Sequence, residues 1–203
     1  MKKEVEDAFF RANQSLEGYV PYMYQDIKGL VTIGVGNLID PITVAEKLPF
    51  VRWAMNMPMR LPATKKEIQS EWRRVKAMPP GLHHKHYFTG SAITMAETDI
   101  VHLVSTVLAT HEAGIMTHHP AWNEYPALVQ MTLLSMSWAV GVTGLKKFSR
   151  FNGFIRDGSW ALAAGEAVMN SSGNPGLERR NKWNLAMLNR CQANMDLLKG
   201  NGY

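Results

Sequence analysis

LEGYVPYMYQDIKGLVTIGVGN, residues 16–37, holds an acid at a helix end, a second acid at a turn and a threonine on a glycine-marked strand. Upstream, Val5, Ala8, Phe9, Ala12 and Leu16 recur at the spacing of one helix face, and Glu4, Glu6, Asp7 and Arg11 fill the other. That predicts a helix over 3–16, with Gly18 as its stop. Glu17 then lies at the negative end of the helix dipole, where an ionised carboxylate is disfavoured. Such a position, and any burial, moves a carboxyl pKa upward, as a general acid near neutral pH requires.

After Gly18 the period changes to two. Residues 19–25, with three tyrosines, read as a strand. Asp26-Ile-Lys-Gly29 reads as a turn, with Asp first and Gly fourth. Residues 30–35 form the return strand. Val31, Ile33 and Val35 share one face; Thr32, Gly34 and Gly36 share the other, where missing side chains leave room against the backbone. Two registers are open. A hairpin with a glycine bulge pairs Tyr24 with Thr32 and brings Asp26 to the same face. Without the bulge, Thr32 points away from both. Alone, Asp26 is an ordinary turn residue and Thr32 an ordinary strand residue.

Glu17-Gly18, Tyr24, Asp26, Gly29 and Thr32-Ile-Gly-Val-Gly36 closely resemble the phage-type lysozymes, glycoside hydrolase family 24. The resemblance implies that Glu17 is the general acid, and that Asp26 and Thr32 hold the attacking water. Tyr24 and Gly36 would line the glycan. Asn37 departs from the family, which often has His there as a structural ion-pair partner. In the second half, Met136-Ser-Trp138-Ala-Val-Gly141-Val-Thr143-Gly144 and Phe148 follow the family pattern more weakly. Trp138 and Phe148 are candidates for stacking on sugar, against the plain alternative of core aromatics. Pro175-Gly-Leu-Glu-Arg179-Arg180 also resembles the family. Arg180 would hold the catalytic carboxyl or contact an acidic substrate, its alternative being an ordinary surface ion pair.

The expected fold is α+β and mainly helical: one lysozyme-like domain over 1–203, with a small β-hairpin lobe and a larger helical lobe across a cleft. The hairpin lobe takes residues 17–93, and the helical lobe residues 94–203 with the N-terminal helix. Residues 38–93 exceed the typical family member and have no assigned role.

Prolines at 41, 49, 58 and 62 argue against a long helix there. Short helices are expected at 44–47 and 50–55. Thr64-Lys-Lys-Glu67 is a capping box opening a helix to about Met78, and Thr94-Met-Ala-Glu97 a second one opening a helix to about Met116. Further helices are expected at 122–140, 149–156, 159–169 and 177–198.

At 203 residues the chain can bury a sizeable core. Its net charge of +5 suits an anionic partner, among them nucleic acid, a membrane surface or cell wall. The basic pairs Arg73-Arg74 and Lys146-Lys147 lack interleaved aromatics, so nucleic acid is not expected. A single cysteine, Cys191, excludes internal disulfides and reads as a buried thiol. The charged first residues do not resemble a secretory signal. Residues 127–142 read as a buried helix rather than a membrane span. His83, His84, His86, His118 and His119 lack the spacing of a metal site.

The expected activity is therefore muramidase: hydrolysis of the β-1,4 bond between N-acetylmuramic acid and N-acetylglucosamine in peptidoglycan, without cofactor or metal. The expected form is a monomer acting on the wall after release or secretion, for host lysis or interbacterial killing, with an immunity or inhibitor protein as a conceivable partner. The alternatives are a wall-binding module without catalysis, a basic membrane-disrupting protein and a transglycosylase.

Overall fold

The structure is a computed structural model that describes residues 1–53, 59–90, 92–172 and 174–200. It is a mainly helical α+β protein with small antiparallel sheets. The chain divides into two compact units, residues 17–104 and residues 1–16 with 105–203.

The first of these carries the sheets. Helix α1 (Lys3–Glu17) delivers the chain to it and stops at Gly18, whose φ of 81° is left-handed and cheap only for glycine. Strand β1 (Val20–Gln25) pairs antiparallel with β2 (Val31–Gly34), and β2 with β3 (Asn37–Leu38). Val20 faces Gly34 and Tyr24 faces Thr32, so β1 carries two extra residues between those pairs. The bulged register is the observed one, but the irregularity lies at Pro21 to Met23 rather than at a glycine. Pro21 has no N–H for the ladder, and its carbonyl instead accepts from Met95 N at 2.9 Å, beside a Tyr22–Thr94 bridge.

Behind this sheet lies α3 (Lys65–Lys76), opened by the Thr64–Glu67 capping box with both reciprocal bonds present. The buried Gln25 amide donates to the carbonyls of Val75 and Met78 at 2.6 and 2.7 Å, closing the end of α3. Trp72 Nε1 donates to Ile39 O at 3.1 Å. Part of residues 38–93, which carry no assigned role in the sequence, is thus the back layer of the sheet.

Helix α2 (Ile42–Ala45) is short, as the prolines require. The helix expected at 50–55 is instead strand β4 (Val51–Trp53), paired with β5 (Arg60–Pro62) and bonded through Val51 to Thr94; positions 54 and 55 lie outside the described residues. Thr94 is distant in sequence, so the local pattern of residues 50–55 does not show that partner. Thr94 is likewise engaged in bridges to Tyr22 and Val51 and does not cap a helix. Helix α4 (Glu97–Met116) begins later, with Ile100 N donating to Ala96 O.

In the other unit α5 (Ala127–Leu145) is the core helix, with Val129 to Ser137 all buried. By length and composition it could cross a membrane, but 56% of its apolar window is inside the protein. Gly141 breaks its helical path at φ 73° and ψ 161°. Helices α6 (Ser149–Arg156), α7 (Trp160–Glu166) and α8 (Pro175–Gly200) complete the unit, α8 packing on α5 and α7. Cys191 on α8 is buried, and burial pushes its thiol up.

Candidate active site

Glu17 is the last residue of α1 and is exposed. The helix end is as expected, and the side chain is not buried.

Asp26 is held from three directions. Its Oδ1 accepts the amides of Lys28 and Leu30, each at 2.8 Å, which closes the turn with the side chain. Its backbone N–H donates to Leu30 O at 3.0 Å, and its carbonyl accepts from Gly29 N and Gly81 N, both at 3.1 Å. No hydrogen bond from the described residues goes to Oδ2, and Asp26 is half-exposed. One carboxylate oxygen is therefore fixed by the turn, and the other takes no hydrogen bond from the described residues.

Thr32 lies opposite Tyr24, but only 5% of it is exposed. Its hydroxyl donates to Leu30 O at 3.0 Å. The Leu30 peptide thus ties both side chains together: its N–H goes to Asp26, and its C=O receives Thr32.

Tyr24 is half-buried. Burial raises its phenol above the ordinary range, and the carboxylates of Glu17 and then Asp26 add to the shift. Both acids therefore bear electrostatically on one phenol that stays protonated and neutral.

The glycines behave differently from the open face expected of them. A Cβ on Gly34, at φ 70°, would lie 2.7 Å from Ile100 Cγ2 and 2.9 Å from Asn37 Oδ1. The space beside Gly34 belongs to α4, not to a ligand. Gly36, at φ 89°, is a turn residue between β2 and β3. Asn37 is buried, and neither of its side-chain polar atoms has a hydrogen-bond partner among the described residues.

The remaining candidates lie in the helical unit. Trp138 is half-buried, its indole 5.3 Å from the Phe9 ring and 6.0 Å from His111, and its Nε1 has no hydrogen-bond partner among the described residues. Phe148, also half-buried, precedes α6, and its carbonyl accepts from Asn152 N and Nδ2. Arg180 is fully buried, not a surface ion pair. Its Nη1 donates to Ser135 Oγ at 3.0 Å and its Nη2 to Asn13 Oδ1 at 2.6 Å.

Several supporting residues carry no local sequence signal. Gly81, at φ 70°, reaches the Asp26 carbonyl from the chain after α3. That chain is held by the fully buried Tyr87, whose hydroxyl donates to Pro79 O at 2.7 Å. Beside it, Tyr22 OH and His84 Nδ1 are 2.7 Å apart, and the Tyr22 ring stands 4.8 Å from the half-exposed Phe88. Among the described residues no three His, Cys, Asp or Glu side chains are grouped to hold a metal ion. No protein-family model matches the chain, and no curated protein matches it either.

Proposed function

We propose that the chain is a peptidoglycan hydrolase of the phage-type lysozyme kind, with that family's lysozyme-like fold, cutting the β-1,4 bond between N-acetylmuramic acid and N-acetylglucosamine. The observation that carries this reading is the pairing of an exposed Glu17 with an Asp26 immobilised through one oxygen, both acting on Tyr24. Glu17 gives its proton to the leaving glycosidic oxygen. Asp26 takes a proton from water through Oδ2, and the hydroxide equivalent attacks the anomeric carbon from the opposite face. Inverting enzymes work this way, with about 6.5–9.5 Å between carboxyls to admit the water. Tyr24, neutral throughout, supplies a hydrogen-bond donor without adding charge. Thr32 acts by fixing the Leu30 peptide on which the Asp26 turn closes.

Arg180 anchors Asn13, one helical turn before Glu17 on α1, and so steadies the helix end that presents the acid. No cofactor enters the chemistry. The basic balance suits an anionic wall. The test is release of reducing ends from purified peptidoglycan, with the muropeptides identified by mass spectrometry. Hydrolysed muramic ends are expected. Anhydro-muramic ends would make the protein a transglycosylase, and sedimentation with the wall without new ends would make it a binding module.

A further inference from the structure

The helical unit contains a cavity of about 330 Å³ where the ends of α4 and α5 meet α6. Its floor is apolar: Ile115 and Leu145 are buried and Val142 is half-buried. Its rim carries the cations Lys146 and Arg156, with His118 beside them, all exposed. Lys146 and Arg156 form no ion pair among the described residues, whereas Arg150 on the same helix as Arg156 is held by Glu166 at 3.0 Å. Residues 145–156 contain four basic side chains and no acid. Lys146 and Arg156 do terminate α5 and α6, where helix dipoles favour cations. Each helix end carries only about half a negative charge, so a full cation there is part-neutralised at most.

The inner polar wall makes no demand on a ligand. Asn152 Nδ2 donates to the carbonyls of Leu145 and Phe148, which leaves Oδ1 as the acceptor for His119 Nε2 at 2.9 Å. His119 Nδ1 is then the acceptor for Tyr125 OH at 3.2 Å. Burial holds His119 below its ordinary pKa, in keeping with this neutral tautomer. Every N–H of His119 and Asn152 is used, so an apolar group can lie beside them without stranding a buried donor.

We propose that this cavity binds a carboxylate on a short apolar stem, the charge between Lys146 and Arg156 and the stem against Ile115, Val142 and Leu145. A short fatty acid and an apolar peptide chain end carry the same chemistry.

The test is a titration of the full chain, followed by backbone amide NMR shifts of Val142 and Leu145. Acetate, butanoate, hexanoate, N-acetyl-leucine and inorganic phosphate are the probes. Hexanoate should bind with a Kd on the order of 1 mM, as open to a ligand of about eight heavy atoms. Affinity should rise about fourfold per methylene along the acid series. A Lys146→Gln, Arg156→Gln double variant that melts like the wild type should lose about tenfold or more. Tighter binding of hexanoate assigns a fatty acid, and tighter binding of N-acetyl-leucine a peptide end. Equal binding of acetate and hexanoate, phosphate binding as tight as hexanoate, an unaffected double variant, or no saturable shift would each overturn the proposal.

Discussion

Asp26 offers a clean separation of folding from chemistry. Its Oδ1 closes the turn onto Lys28 and Leu30, and its Oδ2 is the oxygen assigned to water. Asp26→Asn keeps a neutral acceptor at Oδ1 and removes the base. A hydrogen bond to a charged acceptor contributes about 1 kcal/mol more than a neutral one, and Lys28 is exposed, so the two bonds together lose about 1–2 kcal/mol. For a chain of this size that is a fall of about 2–8 °C in Tm. Asp26→Ala strands both amides, the half-buried Leu30 N–H among them, and should cost about 2–4 kcal/mol. Both variants lose the proton acceptor, for which general-base catalysis sets a loss of about 10²- to 10⁴-fold. Thermal melts and reducing-end release from purified wall, run on the same preparations, separate the effects. Equal activity losses with unequal Tm losses are expected. Wall cleavage by Asp26→Asn within about tenfold of wild type would remove Asp26 from the chemistry. An Asn variant as unstable as the Ala variant would show that Oδ1 is not the turn acceptor.

Glu17→Gln should keep the wild-type fold, read by circular dichroism, yet lose about 10²- to 10⁴-fold in wall cleavage; full activity would refute its role. Gly34→Ala combines a left-handed φ with a 2.7 Å approach to Ile100 and should cost about 2–5 kcal/mol, read by denaturant unfolding; a loss below about 0.5 kcal/mol would contradict that packing. Asn37→Leu keeps the branched shape and removes two unpartnered buried polar atoms, so a gain of about 1 kcal/mol is expected in the same assay, and a clear loss would mean that Asn37 has a partner. Burial holds His111 and His119 below the ordinary imidazole range. Their contribution to stability is complete above the unfolded value of about 6.5 and is lost as pH falls through the lowered folded values. Tm should decline from pH 7 toward 5, less steeply in a His111→Gln, His119→Gln double variant; parallel slopes would sink that assignment.

What could be read in the chain was what local chemistry decides. The Thr64–Glu67 capping box needs only four residues, and it forms. Helix α6 runs from Ser149 to Arg156 as expected, because Asp157-Gly158 stops it locally. Glu17 at a helix end and Asp26 at a turn are likewise decided within a few residues of each other. Failures came where a distant partner intervened. Thr94 has the same capping motif as Thr64, but bridges to Tyr22 and Val51 claim it first. Residues 51–53 lack a strand period and become β4 through Arg60–Pro62 and Thr94. Arg180 follows another arginine on a helix and looks like a surface residue; its burial depends on partners far along the chain, Asn13 and Ser135 among them.

The same contrast explains the support beneath Asp26. A turn closed only by its own side chain could wander by more than a catalytic carboxylate can tolerate. Here Gln25, the residue before Asp26, is locked into the end of α3, and the Asp26 carbonyl is held by Gly81 beyond that helix. Two constraints from residues 75–81 thus bracket one residue. One runs through the Gln25 side chain and the other through the Asp26 carbonyl, and neither engages Oδ2. Thr32, nearly buried and bonded to Leu30, belongs to the same frame, since Leu30 is also the residue on which the Asp26 turn closes. A carboxylate held this way has its position set from behind, by the Gln25 amide, the Gly81 N–H and its own turn, and not by neighbours at the surface.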